Sequence, residues 1–204
     1  MKKQKENALR TYGDNIPEFL NALEANRRLF SGEVVGPIGR HVRLKDQKWR
    51  SAIEAVIGNL LSNFIVQNWQ DEKRLKEMLR KYGWYPSPHF SSLSIFRGSL
   101  PKRNEADLVP SSTPSSSSDN AIVTRDNWTP LDVRSAKPDR RFTTALDQLE
   151  IGHPVIEAML IDIRNIEQTI LLSSFDEAAK VVYRERPRNV LCAFIPQGAK
   201  VSYQ

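Results

Sequence analysis

The chain has 204 residues, 40% of them hydrophobic and 26% charged, with a net charge of +6 at neutral pH. That is enough chain for one large domain or two small lobes, and the composition is that of a folded protein rather than a polar, disordered one. One cysteine, Cys192, excludes an intrachain disulfide and a Cys-rich zinc site, and no stretch is long and apolar enough to be a membrane-spanning helix or a signal core.

Residues 1–12 are polar, lysine-rich and helix-prone, and read as the end of a longer helix. Asn15-Ile16-Pro17 opens a second helical stretch to Arg28, with Phe19, Leu20 and Leu23 on one face. Val34 and Val35 form a first short strand. From Gly36 the chain reads Gly-Pro-Ile-Gly, a turn, then a strand with Val42 and Leu44 on one face. Asp46 follows as a helix cap, with Trp49, Ile53, Val56, Ile57, Leu60 and Leu61 at helical spacing. Residues 63–67 are an apolar strand, 71–82 a charged helix burying Leu75, Met78 and Leu79, 83–88 a turn, and 93–96 a strand.

The same order returns later in the chain. Residues 153–162 predict a helix on Val155, Ile156, Met159 and Leu160, 169–173 a strand, 176–186 a helix and 189–195 a strand. Small features recur too: Ile53-Glu54-Ala55 against Ile156-Glu157-Ala158, and Asp71-Glu72 against Asp176-Glu177. Helix–strand–helix–strand is a common grammar, so chance likeness stands beside the favoured reading of two related lobes. Between them, residues 98–127 hold Pro110-Ser111-Ser112-Thr113-Pro114 and a serine run that cannot bury enough apolar surface to order itself. They read as a disordered insertion or, through Thr113-Pro114, a regulated linker. The expected division is a coiled-coil stub and lead-in helix (1–29), a first lobe (30–97), the insertion (98–127) and a second lobe (128–204). Gln204 follows the alternating Ala199-Lys200-Val201-Ser202-Tyr203, which reads as a piece cut from a longer protein.

Gly-Pro-Ile-Gly and Asp-Gln-Lys-Trp, followed by a helix carrying Ala-Ile-Glu, resemble the hinge domain of SMC (structural maintenance of chromosomes) proteins. Within that family they resemble the sixth eukaryotic member, from the DNA-repair SMC complex. The resemblance covers most of the chain from Phe30 onward. It implies a mixed α/β hinge fold of two similar lobes and a nuclear, chromatin-bound protein. It also implies heterodimerisation with the hinge of the fifth SMC member and DNA binding, with single strands preferred.

SMC proteins are ATPases at their heads, but no Gly-x-x-x-x-Gly-Lys-Ser/Thr loop occurs here, and Gly32, Gly36 and Gly39 read as turn glycines. His41, His89 and His153 lack metal-ligand spacing, and no nucleophile elbow is present, so neither enzyme activity, metal nor cofactor is expected of this segment. Basic residues are the better signal. Arg40, Arg43, Lys45, Lys48 and Arg50 cluster around the signature strand and helix, and Lys73 and Arg74 lead a second group with Lys76, Arg80 and Lys81. Lys2, Lys3 and Lys5, with Arg27 and Arg28, form a third group. These are the candidate phosphate contacts, although a solvated helix surface also accounts for the second group. Trp69, Trp84 and Tyr85 admit two readings, stacking on single-stranded bases or packing in a core.

Dimerisation in such hinges is implied to occur by reciprocal strand addition. The expected edges are residues 189–195 with 198–203, carrying Cys192, Phe194, Gly198 and Val201, and residues 63–67, carrying Phe64, Ile65 and Val66. Two rival readings stand beside this one, a small α/β nucleic-acid-processing enzyme and a homodimeric scaffold without DNA affinity.

Overall fold

The computed structural model describes residues 15–82, 95–97 and 132–203. The stub with Lys2, Lys3 and Lys5, the turn with Trp84 and Tyr85, His89, and the Ser/Pro-rich segment lie outside the described residues. Helices run α1 (Ile16–Ala25), α2 (Arg50–Ile57), α3 (Trp69–Lys81), α4 (Pro154–Arg164) and α5 (Phe175–Ala179). Strands run β1 (Val42–Leu44), β2 (Phe64–Val66), β3 (Ile95–Arg97), β4 (Thr143–Thr144), β5 (Leu149–Ile151), β6 (Thr169–Leu171), β7 (Cys192–Phe194) and β8 (Lys200–Ser202). The chain forms two compact units, Met1–Val35 with Phe64–Trp128, and Gly36–Asn63 with Thr129–Gln204. Residues 36–63 therefore cluster with the later part of the chain, whereas sequence order groups them with the first lobe.

In the first unit, β2 and β3 pair in parallel, Phe64 opposite Ile95, and α3 is the crossover between them. Parallel strands require such a crossover because no tight turn returns the chain in the same direction. The Asn68 side chain accepts from the Asp71 N–H at 2.9 Å and caps α3. Asp71 and Glu72 lie in the first turn and Arg80 and Lys81 in the last, the polarity the helix dipole favours. Leu75 and Leu79 on α3 and Phe19 and Leu23 on α1 meet Phe30, Phe64 and Val66 in the core. The Phe19 ring meets Phe64 edge-on at 5.7 Å and Tyr82 at 6.0 Å.

Asp71 is the buried exception in this apolar set, 1% exposed. The Ser31 N–H donates to both of its carboxylate oxygens, at 3.0 and 3.1 Å, and the Arg74 guanidinium approaches at 3.3 Å. The Ser31 hydroxyl adds a contact at 3.3 Å. One carboxylate thus fixes the chain leaving Phe30 against the first turn of α3.

The second unit holds a four-stranded sheet in the order β4-β6-β7-β8, with β6 and β7 parallel and the outer pairings antiparallel. Ser174 caps α5 by accepting from the Glu177 N–H, as Asn68 does for α3. The strand–helix–strand likeness of the lobes is thus present in the fold, but the acidic pairs are one position out of step: Asp71 and Glu177 stand at the capped N–H, and Asp71 is buried where Asp176 and Glu177 are exposed. The second helix does not run on as α-helix to Arg186. Lys180–Glu185 is π-helical, and the Arg186 N–H donates to Val181 O at 2.9 Å. Ile170, Val182, Ala193 and Val201 fill the core of this sheet.

α2 packs beside α4 in this unit. Asp46 accepts from the Lys48 N–H at 2.9 Å, so the predicted helix starts as a tight 3-10 turn at Gln47–Trp49 and becomes α-helical only at Arg50. The His153 side chain accepts from Val155 N–H and Pro154 opens α4, while Asn165, at φ 48°, ends it. A separate antiparallel ribbon pairs β1 with β5, Arg43 opposite Glu150. Replacing Asp71 by Ala orphans the Ser31 N–H and the Arg74 charge. The D71A variant is expected to lose about 2–3 kcal/mol of stability in urea unfolding, against under about 0.5 kcal/mol for the exposed E77A.

Candidate functional site

Every one of Arg40, Arg43, Lys45, Lys48 and Arg50 is exposed, and all five lie in the second unit, between the turn preceding β1 and the start of α2. Their settings differ. Arg43 faces its cross-strand partner Glu150 at 4.0 Å, and Arg50 meets Glu54 at 3.2 Å. The Lys45 ammonium donates to the Asp147 carbonyl at 2.7 Å, and Lys48 lies over the Trp49 ring at 4.8 Å. Arg40 has no acidic partner among the described residues. Exposed pairs of this kind contribute roughly 0–1 kcal/mol, so these carboxylates hold their partners only weakly.

Lys73 and Arg74 are exposed on α3 of the first unit. Arg74 is committed in part to Asp71, whereas Lys73 lies on the helix face that also carries Trp69, Lys76 and Arg80. These four residues recur at intervals of four, three and four, which keeps them on one side of the helix. With Glu72 and Glu77 they line a shallow surface hollow of about 370 Å³. Trp69 is 60% exposed, so of its two sequence readings core packing is excluded. Residues 40–50 and residues 69–80 belong to different units.

The strands expected to pair with a partner divide sharply. Phe64, Ile65 and Val66 are fully buried, and Ile65 is bonded on both sides. It exchanges N–H···O bonds with Val35 at 2.8 and 3.0 Å and pairs with Phe96 on the other flank. Cys192 and Phe194 are likewise buried in β7, which is held between β6 and β8. The Cys192 sulfur lies 3.6 Å from the Thr169 hydroxyl. These stretches are interior strands, which corrects the expectation of an edge at residues 63–67 and 189–195: their ladders are already filled within the chain.

β8 is different. It pairs with β7 alone among the described residues, and its own residues alternate: exposed Lys200, buried Val201 and half-buried Ser202. Ile195 N–H donates to Ala199 O at 3.1 Å, and antiparallel alternation then gives the next bonded pair as Ala193 with Val201. The N–H groups of Lys200 and Ser202 consequently point away from the sheet. Gly198 makes the turn into this strand at φ 85°, where an added Cβ would stand 3.0 Å from the Ser51 carbonyl. Its glycine is thus required by a close approach inside the chain itself.

Sequence reading missed two features near these surfaces. The first is Asp147, which accepts from Lys137 Nζ at 2.6 Å and from the Thr144 N–H and hydroxyl at 3.0 and 2.7 Å. Asp147 N–H returns a bond to the Thr144 hydroxyl, so Thr-x-x-Asp was a readable capping box. The second is an exposed basic run at residues 180–188, which no apolar periodicity brings to notice. Among the described residues no group of three or more His, Cys, Asp or Glu side chains is arranged to hold a metal, and no helix is long and apolar enough to cross a membrane.

Residues 30–182 match the model of the SMC proteins flexible hinge domain. The chain is 38% identical over 189 residues to structural maintenance of chromosomes protein 6A of Arabidopsis thaliana, covering 91% of this chain and 15% of that protein. Against the human structural maintenance of chromosomes protein 6 it is 27% identical over 207 residues, 98% of this chain and 16% of the relative. It thus spans less than a fifth of the length of these relatives. The crystal structure of the Schizosaccharomyces pombe Smc5/6 hinge domain superposes with a TM-score of 0.67 at 22% identity, over 93% of this chain and 58% of that one.

Burial opposes the charge on Asp147, but the hydrogen bonds from Lys137 and Thr144 outweigh it and hold the carboxyl below its ordinary value. A carboxyl whose folded-state pKa is lowered binds fewer protons folded than unfolded. Its stabilisation is complete above the unfolded-state value, near 3.9, and is lost as pH falls through the folded one. Urea unfolding from pH 7 to pH 2.5 should show the D147N variant less stable than its parent at pH 7, the gap closing at the acid end. A gap independent of pH would mean that the carboxylate's charge is not what matters.

Proposed function

The chain belongs to the family of SMC hinge domains, and we propose that it serves there as the hinge of a sixth-member-like subunit. In this role it heterodimerises with the hinge of the fifth SMC member and holds DNA, single strands in preference. The reading places it in the nucleus, on chromatin, in chromosome maintenance and repair. It assigns no catalysis to this segment. Residues 1–29 act as the coil lead-in, 98–127 as an insertion, and 30–97 and 128–204 supply the two hinge lobes, with residues 36–63 packing in the later one.

One observation carries the dimerisation arm: β8 presents outward N–H groups at Lys200 and Ser202 with no second neighbour among the described residues. An edge of this kind is a template for strand addition, with affinity from the main chain. Val201 holds the edge in place from behind, through the core, and Gly198 lets the turn into it pass where an added Cβ would meet the Ser51 carbonyl. Phe64–Val66, Cys192 and Phe194 contribute as the buried ladders on which the units are built. That the S. pombe structure is of an Smc5/6 hinge supports the fifth member as partner.

The DNA arm rests on two exposed basic groups. Arg40, Arg43, Lys45, Lys48 and Arg50 in one unit present cations that weak carboxylate pairs only partly neutralise. Lys73, with Trp69, Lys76 and Arg80 in the other, joins an exposed indole to three cations, the combination that holds single strands by stacking and charge. Lys2 and Lys3 extend the basic set, as does Arg74.

Mixing the chain with the fifth member's hinge and weighing the product by light scattering should give a one-to-one complex. Proline at Ser202 removes an outward donor and leaves the inner ladder intact. S202P is therefore expected to weaken that complex about tenfold or more, some 1.4 kcal/mol, without lowering the thermal midpoint. An undiminished complex would remove β8 from the interface. For the DNA arm, W69A should cost about 1–3 kcal/mol in binding oligothymidylate and little in binding duplex, measured by fluorescence anisotropy.

A further inference from the structure

We propose that a second single-strand-binding surface lies on the second unit, where residues 180–188 meet residues 132–141. It would use Arg140, Arg184, Arg186 and Arg188 for phosphates and Tyr183 for a base. The proposal rests on the DNA-binding reading above and adds to it a site built from other residues.

Charge is the first observation. Residues 180–188 hold four basic and one acidic side chain, and residues 132–141 four basic and two acidic. These nineteen positions therefore supply five of the chain's six net positive charges. The two segments are stapled together. The Asn189 amide donates to the carbonyls of Ser135 at 2.9 Å and Lys137 at 3.1 Å, and Arg141 meets Glu185 at 3.0 Å.

The acids present are already engaged. Glu185 is shared between Arg141 and Lys180, Asp132 is bonded by Arg134, and Asp139 accepts from the Arg141 N–H. Left without an acidic partner among the described residues are Arg140, Arg184, Arg186 and Arg188, all exposed. All four are arginine rather than lysine, and a planar guanidinium can grip phosphate oxygens in pairs.

The backbone supplies a second, independent observation. The π-helical turn Lys180–Glu185 ends with Arg186 in the left-handed region at φ 46°, and Asn189 follows at φ 62°. Asparagine tolerates that region, but a long side chain there is uncommon, and glycine would occupy it without steric opposition. Such a residue is held against its preference, and π-turns with strained residues gather at binding sites. The same turn leaves Tyr183 48% exposed, and the Arg186 Nε donates to the Tyr183 carbonyl at 3.2 Å. A tyrosine face next to arginines is a platform for any unstacked base. An acidic protein surface would make no such use of the exposed ring.

The test is anisotropy with fluorescein-labelled thirty-mer oligothymidylate and with a duplex of equal length, at several salt concentrations, on the whole chain. R184E/R188E should bind the single strand about tenfold more weakly, with a salt slope shallower by about 1.4 for two lost phosphates. Y183A should lose several-fold on the single strand and nothing on the duplex. R186G should lose affinity while its thermal midpoint stays within about 3 °C of the parent's or rises, since the left-handed position suits glycine. Affinity within twofold of the parent for R184E/R188E, while W69A or R40E/R43E still weakens binding, would overturn this surface and leave the earlier reading standing. Failure of the parent itself to bind oligothymidylate at low salt would overturn both. Equal losses on duplex and single strand for Y183A would remove the stacking role.

Discussion

The parallel pairing of β6 with β7 is the constraint from which most of the second unit follows. Two strands running the same way cannot be joined by a hairpin, so α5 and the π-turn after it must carry the chain back across the sheet face. Ser174 stops the strand and starts the helix, and Val182 and Ala178 press that crossover onto Ile170 and Ala193. The return leg is then long enough to need a sharp exit, which the left-handed Arg186 and Asn189 provide. Gly198 then turns the chain and lays β8 along β7, so an edge with no second neighbour among the described residues follows from the first pairing. The first unit repeats the logic with β2, α3 and β3, and there Asp71 adds a polar lock between Ser31 and the helix start.

Burial patterns along three short strands explain which of them can meet a partner. Phe64-Ile65-Val66 and Cys192-Ala193-Phe194 are buried at every position, the signature of strands covered on both faces and flanked on both sides. Lys200-Val201-Ser202 alternates, which is what a strand with one wet face shows. The apolar runs attract attention in a sequence because they are hydrophobic, yet that same property marks them as interior. Proposals about docking belong on the strand whose pattern is mixed, where a polar face and an unpaired ladder coexist.

Much of this architecture was legible. The cap at Asp46, the helix start at residue 153, the buried stripe of α3, and the repeated strand–helix–strand order all follow from local chemistry that packing did not overrule, whereas the Asn68 cap, which lies before the expected start of α3, was not read. The basic run around β1 was likewise visible. What could not be read is what depends on distant pairing. β4 and β5 are two and three residues long, with too little alternation to announce themselves, and they exist because β6 and β1 offer them ladders. The grouping of residues 36–63 with the end of the chain depends on β1 finding β5 across about a hundred positions. The π-turn replaces a regular helix that the sequence pattern supports equally well, so only the packed structure distinguishes them.

The proposed association through β8 and the proposed contact with DNA would draw on different physics. Strand addition uses backbone N–H and C=O groups that carry no net charge, so the strength of such a joint varies little with ionic strength. The basic surfaces proposed on β1 and α3 and around Arg186 would act through exposed charges, whose hold on phosphate weakens steeply as salt rises. No side chain proposed for one task is needed for the other. Val201 works from inside the sheet and Gly198 from the turn before β8, while Arg40, Lys73 and Arg184 stand in solvent. A dimer built this way would keep its joint closed while DNA came and went, because no charged group would have to be released for the strands to stay paired.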